Sequence, residues 1–327
     1  MKIQTTLAGS YPKLPTVSGD VNLRVVRNRR DAGKATDGDV AAAVQATTRR
    51  MIELQNRVGV DLPMEGQAGW DDAQTYVARG LEGIRIAGLL RYLDTNTYYR
   101  QPEIVGPIRW TSPITAGDFR EAQALSKRPL KAFLPGPYSL YRFSKDMRYG
   151  DPAEGARAYG DALSREAEAL EEAGATWIHI EEPWIGHASA GDGRAVRAAL
   201  EPLLTGRRAK TMIHVPFGAP TDVFNSIQDL QWTGIGLDLV GAPAGWDLLP
   251  RVPEGRTVGL GLIDARNTRL EAPEAVASDV ARARGMRPDL DLHLSPTASL
   301  EYLPADTAEK KLERLVASAA LASKGRA

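Results

Sequence analysis

Eight short apolar runs recur along the chain, each ending in polar residues: 3–10, 61–66, 130–137, 176–183, 211–217, 234–240, 257–264 and 291–296. Their lengths suit strands, and near-continuous apolar character is what a parallel strand buried on both faces requires. Between them lie longer stretches with apolar residues three or four apart. Val40, Val44, Met51, Leu54 and Val58 mark one amphipathic helix, and Tyr159, Leu163, Ala167 and Leu170 mark another that stops before Gly174. Strand-then-helix repeated eight times predicts an α/β fold, a single (β/α)8 TIM barrel occupying 1–327.

One stretch exceeds a minimal barrel. Residues 90–128, between the second helix and the third strand, form an insertion, expected as a flap over the site or as an edge packed on the flank. Within it, 91–110 alternate aromatic, β-branched and polar residues around Pro102 and Gly106, which predicts a hairpin; 115–126 reads as a helix with Asp118 near its start. From Asp306 a last helix runs through Leu312, Leu315, Val316 and Ala319, and the final five residues are expected to fray.

Composition narrows the function classes. With 41 basic and 41 acidic residues, no global field recruits nucleic acid or an anionic membrane, so the expected partner is a small molecule. No run approaches the roughly 20 apolar residues that span a bilayer, and the first dozen residues lack a signal-peptide pattern, which makes the cytoplasm the expected location. Nothing in the sequence sets an oligomeric state. The 43% hydrophobic content supports a core without staples, and the absence of cysteine excludes disulfides, a thiolate nucleophile and any cysteine-ligated metal.

Barrel enzymes work where strands end. The polar residues there are Ser10, Glu65, Gln67, Tyr138, Ser139, Glu181, Glu182, His214, Asp238, Asp264 and those in 295–299. Gathering carboxyl groups at one mouth is costly unless cations, hydrogen bonds or raised pKa values compensate, which points to function. A strand-end acid also serves as a helix cap or an arginine partner. His179 projects from the same side of its strand as Glu181, so His179, His214, Asp238 and Glu181 form a candidate nitrogen and oxygen set for zinc or iron. The competing expectation for His179, as for His293, is a hydrogen-bonded core residue, and His187 is expected in a solvated loop.

Six motifs occur in one order: GSYP (9–12), LPGPYSL (134–140), WIHIEEP (177–183), IHVPFG (213–218), GLGLID (259–264) and LSPTASL (294–300). Together they resemble the catalytic barrel of cobalamin-independent methionine synthase, over nearly the whole chain from Leu7 to about Leu321. The resemblance implies methyl transfer from 5-methyltetrahydrofolate to the thiol of homocysteine, with zinc held by His, Glu and two Cys. Here the histidine is His214 and Asp238 stands at the glutamate, but Pro216 and Ala298 occupy the cysteine positions. Too few ligands remain, so the resemblance implies a degenerate site and no zinc, with His214 and Asp238 as residual ligand positions.

The same resemblance assigns Ser10 to holding an amino-acid substrate and places Gln67 where a glutamate grips its ammonium. It puts Glu181 at an aspartate with Glu182 retained, Phe143 near the folate, and Asp264 at an acidic position. Trp70, Tyr138, Glu182, Asp238 and Ser299 join the substrate-binding set. The basic stretch with Arg24, Arg27, Arg29, Arg30 and Lys34 matches a loop that meets the folate tail, or is simply a solvated helix face. The expected function is methyl transfer from a reduced folate to an acceptor other than zinc-activated homocysteine, or handled differently, with His214, Glu181 and Asp264 catalytic. A thiol with a pKa of about 8.5 is little ionised at neutral pH without a metal, whereas an amine or activated carbon needs none. The alternatives are a metal-free acid–base lyase or decarboxylase acting on a carboxylate-bearing molecule, and a catalytically silent ligand-binding barrel.

Overall fold

Most of the apolar runs become strands in the computed structural model, which describes residues 3–15 and 19–324. In chain order the strands are β1 (Gln4–Thr5), β2 (Glu82–Arg91), β3 (Tyr98–Arg109), β4 (Lys131–Pro135), β5 (Lys145–Asp146), β6 (Trp177–Glu181), β7 (Lys210–Val215), β8 (Gly234–Asp238), β9 (Thr257–Ile263) and β10 (Asp291–Pro296). Seven of them pair in the order β1-β10-β9-β8-β7-β6-β4, all parallel. Around this curled sheet lie α1 (Leu23–Asp31), α2 (Asp37–Val58), α3 (Ala73–Arg79), α4 (Ala116–Leu125), α5 (Pro137–Phe143), α6 (Pro152–Glu172), α7 (Gly193–Leu204), α8 (Pro273–Met286) and α9 (Ala305–Lys324).

The expected second strand, 61–66, makes isolated parallel bridges only, Thr6 to Leu62 and Met64 to Lys131, and so lies between edge strands β1 and β4. Side chains have taken over part of its ladder. Gln55 of α2 donates to the Met64 carbonyl at 2.9 Å and accepts from the Met64 amide at 2.8 Å. The Asp61 carboxylate accepts from the Thr5 amide at 3.0 Å. With backbone groups satisfied this way, a regular strand is no longer required.

The insertion begins earlier than 90 and turns elsewhere than expected. Strands β2 and β3 form an antiparallel pair, to which β5 adds in parallel along β3. Pro102 and Gly106 lie inside β3, and the turn falls at 92–97, closed by the Tyr92 amide on the Thr97 carbonyl at 3.0 Å. Asp94 and Asn96 supply the turn chemistry there, and Leu93 takes a left-handed φ of 47°.

One buried acid fixes the exit of this hairpin. Glu166 of α6 is fully buried and accepts five hydrogen bonds, from the Trp110 indole, the amides of Ile114, Thr115 and Ala116, and the Thr115 hydroxyl. The start of α4 is thereby tied to the barrel wall. No helix of the described residues is long and apolar enough to cross a membrane.

Candidate active site

The carboxyl ends of the parallel strands open into a small cleft of about 90 Å³, walled by Ser10, Gln67, Trp70, Tyr92, Phe133, Glu181, Ser299, Glu301 and Tyr302. β6 delivers Glu181, the 177–183 segment running buried to its end. Burial pushes the Glu181 carboxyl up to about 7; the Tyr92 hydroxyl, donating at 3.4 Å, opposes that rise and the charge of Glu301 adds to it. The GSYP turn brings Ser10 against the segment after β10. The Ser10 hydroxyl donates to Glu301 and lies 2.7 Å from the Ser299 hydroxyl, which donates to the Ser10 carbonyl at 2.9 Å. Lys13 neutralises Glu301 at 3.0 Å and donates to the Trp70 carbonyl at 2.8 Å.

Beneath Glu181 two imidazoles fill the interior. His179 of β6 and His214 of β7 stand with ring centres 4.9 Å apart, and Phe133 packs on His179 at 5.6 Å. Gly236 on the neighbouring strand makes room for the His214 ring, since a Cβ there would lie 2.7 Å from its Cδ2. Both rings are buried, and neither nitrogen of either makes a hydrogen bond, although the Thr297 main chain faces His214. Burial first, then the nearby Lys131 cation, holds His214 down to about 3 and His179 well below its ordinary value, so both are neutral. His179, Glu181 and His214 offer ligand atoms within 4.8 Å of one another.

Asp238 does not join them. Its Oδ1 accepts the amides of Val240 and Gly241 at 3.1 and 2.7 Å, closing the loop after β8, so the expected four-residue metal set reduces to three. Asp264 is engaged in its own turn, accepting from the Arg266 amide at 2.8 Å and from the Asn267 side chain, and does not wall the cleft. Nor does Glu182, which is fully buried and accepts from the Tyr138 amide, the Ser139 amide and the Ser139 hydroxyl at 3.0, 2.9 and 2.6 Å. It is the anchor of α5, and Gly136 lets it approach, because a Cβ there would fall 2.0 Å from the Glu182 Cδ.

Tyr138 and Phe143 also stand back from the cleft. The Tyr138 hydroxyl accepts from Arg142 at 2.9 Å, and Phe143 stacks behind Tyr92 at 5.0 Å. Ser10, Gln67, Trp70, Glu181 and Ser299 do line it, with Gln67 held at a positive φ of 55° and its buried amide nitrogen unpartnered. Trp70 stacks on Tyr76 at 4.7 Å and donates to Asp118 at 2.7 Å. Of the basic stretch, Arg27 donates to the Gly69 carbonyl at 2.6 Å, and Arg24 and Arg29 are exposed. His187 is exposed, and His293 is buried 3.6 Å from Asp291.

Among the cleft residues that escaped the sequence reading are Lys13, Asp71, Asp72, Tyr92, Glu301 and Tyr302. Lys13 and the 301–302 pair directly follow motifs that were read, so extending each motif by a few residues finds them. Tyr92 carries no such signal, because only the hairpin's turn position sends it over the mouth.

A parallel α/β barrel with carboxylates and imidazoles at its strand ends defines a barrel enzyme whose reactive groups come from several strands. Residues 3–321 match the family described as cobalamin-independent synthase, catalytic domain, and the chain belongs to that family, an enzyme of the methyltransferase class. The methionine synthase of Sulfurisphaera tokodaii is 28% identical over 323 residues, covering 96% of this chain and 90% of that protein. That of Saccharolobus solfataricus is 26% identical over 316 residues, covering 96% and 93%. Among solved structures, a B12-independent methionine synthase from Shewanella sp. W3-18-1, in complex with selenomethionine, shares the fold with a TM-score of 0.85, at 21% identity over 99% of both chains. A putative vitamin-B12 independent methionine synthase from Listeria monocytogenes gives 0.76 at 16% identity over 98% of both.

The family's thiolate-bound zinc does not fit the residues present. Pro216 and Ala298 are buried and offer no donor, and Asp238 spends an oxygen on its own loop.

Proposed function

We propose that this enzyme transfers a methyl group from a folate-type donor to a small acceptor without a cysteine-bound zinc. The observation that carries the reading is a family match spanning 3–321 combined with two thiolate positions filled by Pro216 and Ala298. Glu181, Glu301, Asp71 and Asp72 line the cleft with one lining cation, Lys13, and with Arg79 pairing Asp71 from outside, while Trp70, Tyr92, Tyr98 and Tyr302 add aromatic faces. That balance suits an acceptor whose recognised end carries an ammonium group. Ser10, Ser299 and Glu301 then hold the acceptor, and Glu181 and His214 face the reacting atoms. Gln67 and Trp70 form the wall opposite, whereas Asp238, Glu182, Tyr138, Phe143 and Asp264 shape the site from behind. Much of the rate comes from holding donor and acceptor in line.

The distinguishing experiment is equilibrium binding of 5-methyltetrahydrofolate. Saturable binding is expected, retained in Glu181→Gln and His214→Gln, with turnover in those variants reduced roughly tenfold or more and melting temperature little changed. No measurable folate binding would remove the methyl-transfer reading and favour acid–base chemistry in the same cleft, for which a carboxyl held near 7 is suited.

A further inference from the structure

Burying an imidazole without hydrogen-bond partners costs free energy, and this barrel buries two side by side, with both nitrogens of His179 unpartnered and only the Thr297 main chain facing His214. A histidine serving only as filler is replaceable by an apolar side chain at no such cost. The two rings also sit with a carboxylate, Glu181, at the mouth end of the same cluster. We propose that His179, Glu181 and His214 bind a divalent first-row transition metal ion through two imidazole nitrogens and one carboxylate oxygen, a site that shares only His214 with the family's thiolate centre.

The geometry supports it. Three ligand atoms at the corners of a 4.8 Å triangle lie about 2.8 Å from its centre, so each moves inward by roughly 0.7 Å to make metal bonds of about 2.1 Å. A change of that size is a small side-chain rotation, and Gly236 leaves the His214 ring free of a facing Cβ. Two imidazoles and one carboxylate match the oxygen- and nitrogen-preferring divalent ions, leave coordination positions free, and give the bound centre a net charge of about +1. The centre is therefore more Lewis acidic than one neutralised by two thiolates. Lys131 works against this charge. Its ammonium is held by the Leu7 carbonyl at 2.8 Å.

The test uses the full chain stripped with chelator, then loaded with zinc(II) or cobalt(II) and freed of excess metal, with no methyl donor or acceptor present. Its outcome is therefore independent of the methyl-transfer reading. Elemental analysis is expected to give about one ion per chain, with visible cobalt absorption of a nitrogen and oxygen environment. His179→Gln and His214→Gln are expected to weaken binding by at least about tenfold while circular dichroism stays native. Should either histidine variant fail to fold, Glu181→Gln at the cleft floor supplies the same readout. Binding below about a tenth of an equivalent in the unmutated chain, or equal retention in the folded variants, overturns the proposal.

Discussion

Replacing Glu182 separates a structural role from a catalytic one, because the motif resemblance placed it with the substrate and the structure places it under α5. Removing its side chain in Glu182→Ala strands the Tyr138 and Ser139 amides and the Ser139 hydroxyl in a site with no solvent access. An unsatisfied buried donor costs about 1–3 kcal/mol, so the two amides alone cost roughly 2–6 kcal/mol. The vacated volume adds on the order of 1–2 kcal/mol. Against a total stability of about 5–15 kcal/mol the variant is expected near the edge of folding. Glu182→Gln keeps the volume and one acceptor oxygen but turns an amide donor toward existing donors, a cost of about 1–3 kcal/mol. Urea unfolding followed by circular dichroism is expected to rank the midpoints wild type, then Gln, then Ala, with donor affinity per folded molecule unchanged in Gln. A Glu182→Ala protein that melts like the wild type while losing ligand affinity would refute the reasoning and return this residue to the substrate.

Lys131→Met removes a fully buried amine whose pKa falls to about 7 because burial disfavours its charge. A base depressed in the folded state makes stability rise with pH between its folded value and about 10.5, so wild-type unfolding free energy is expected to climb from pH 8 to 10 while the variant stays flat, read by denaturant titration at each pH. Glu166→Ala strands three backbone amides, the Trp110 indole and a hydroxyl, and is expected to cost several kcal/mol and to expose the 110–116 segment to proteolysis first. Arg266 donates to the Asp94 carbonyl at 2.8 Å and ties the hairpin turn to the rim. Arg266→Ala is therefore expected to speed amide exchange at 92–97 severalfold with little change in global stability, and unchanged exchange would show that the aromatic packing of Tyr92 alone holds the turn.

The strand runs were legible because a parallel strand needs a continuous apolar stretch, and seven of the eight became ladder strands. The run at 61–66 reads the same way, but Gln55, nine residues before Met64, replaces part of its ladder with side-chain hydrogen bonds that no periodicity reveals. The hairpin was legible as an alternation, whereas its turn was misplaced because Pro102 and Gly106 are read as turn residues when β3 carries them inside a central strand of irregular register. At the site, strand-end position picked out Ser10 and Glu181, which wall the cleft, and His214, which lies buried beneath it. It did not tell Glu182 from Glu181, since adjacent residues of one strand end point opposite ways and only packing shows which way is the mouth. Asp238 and Asp264 were misjudged for a related reason: a strand-end acid that caps its own loop has the same sequence signature as one that serves chemistry.

The central claim is tested most directly by following an isotopically labelled methyl group. The protein is incubated with 5-methyltetrahydrofolate labelled in that methyl, with homocysteine and a panel of small ammonium-bearing acceptors, and the label is traced by mass spectrometry. The account predicts that the label leaves the folate for one of the acceptors, that homocysteine is methylated poorly, and that Glu181→Gln lowers the transfer roughly tenfold. Label that stays on the folate with every acceptor, or methionine formation at the roughly 1 per second of an ordinary slow enzyme, would contradict it.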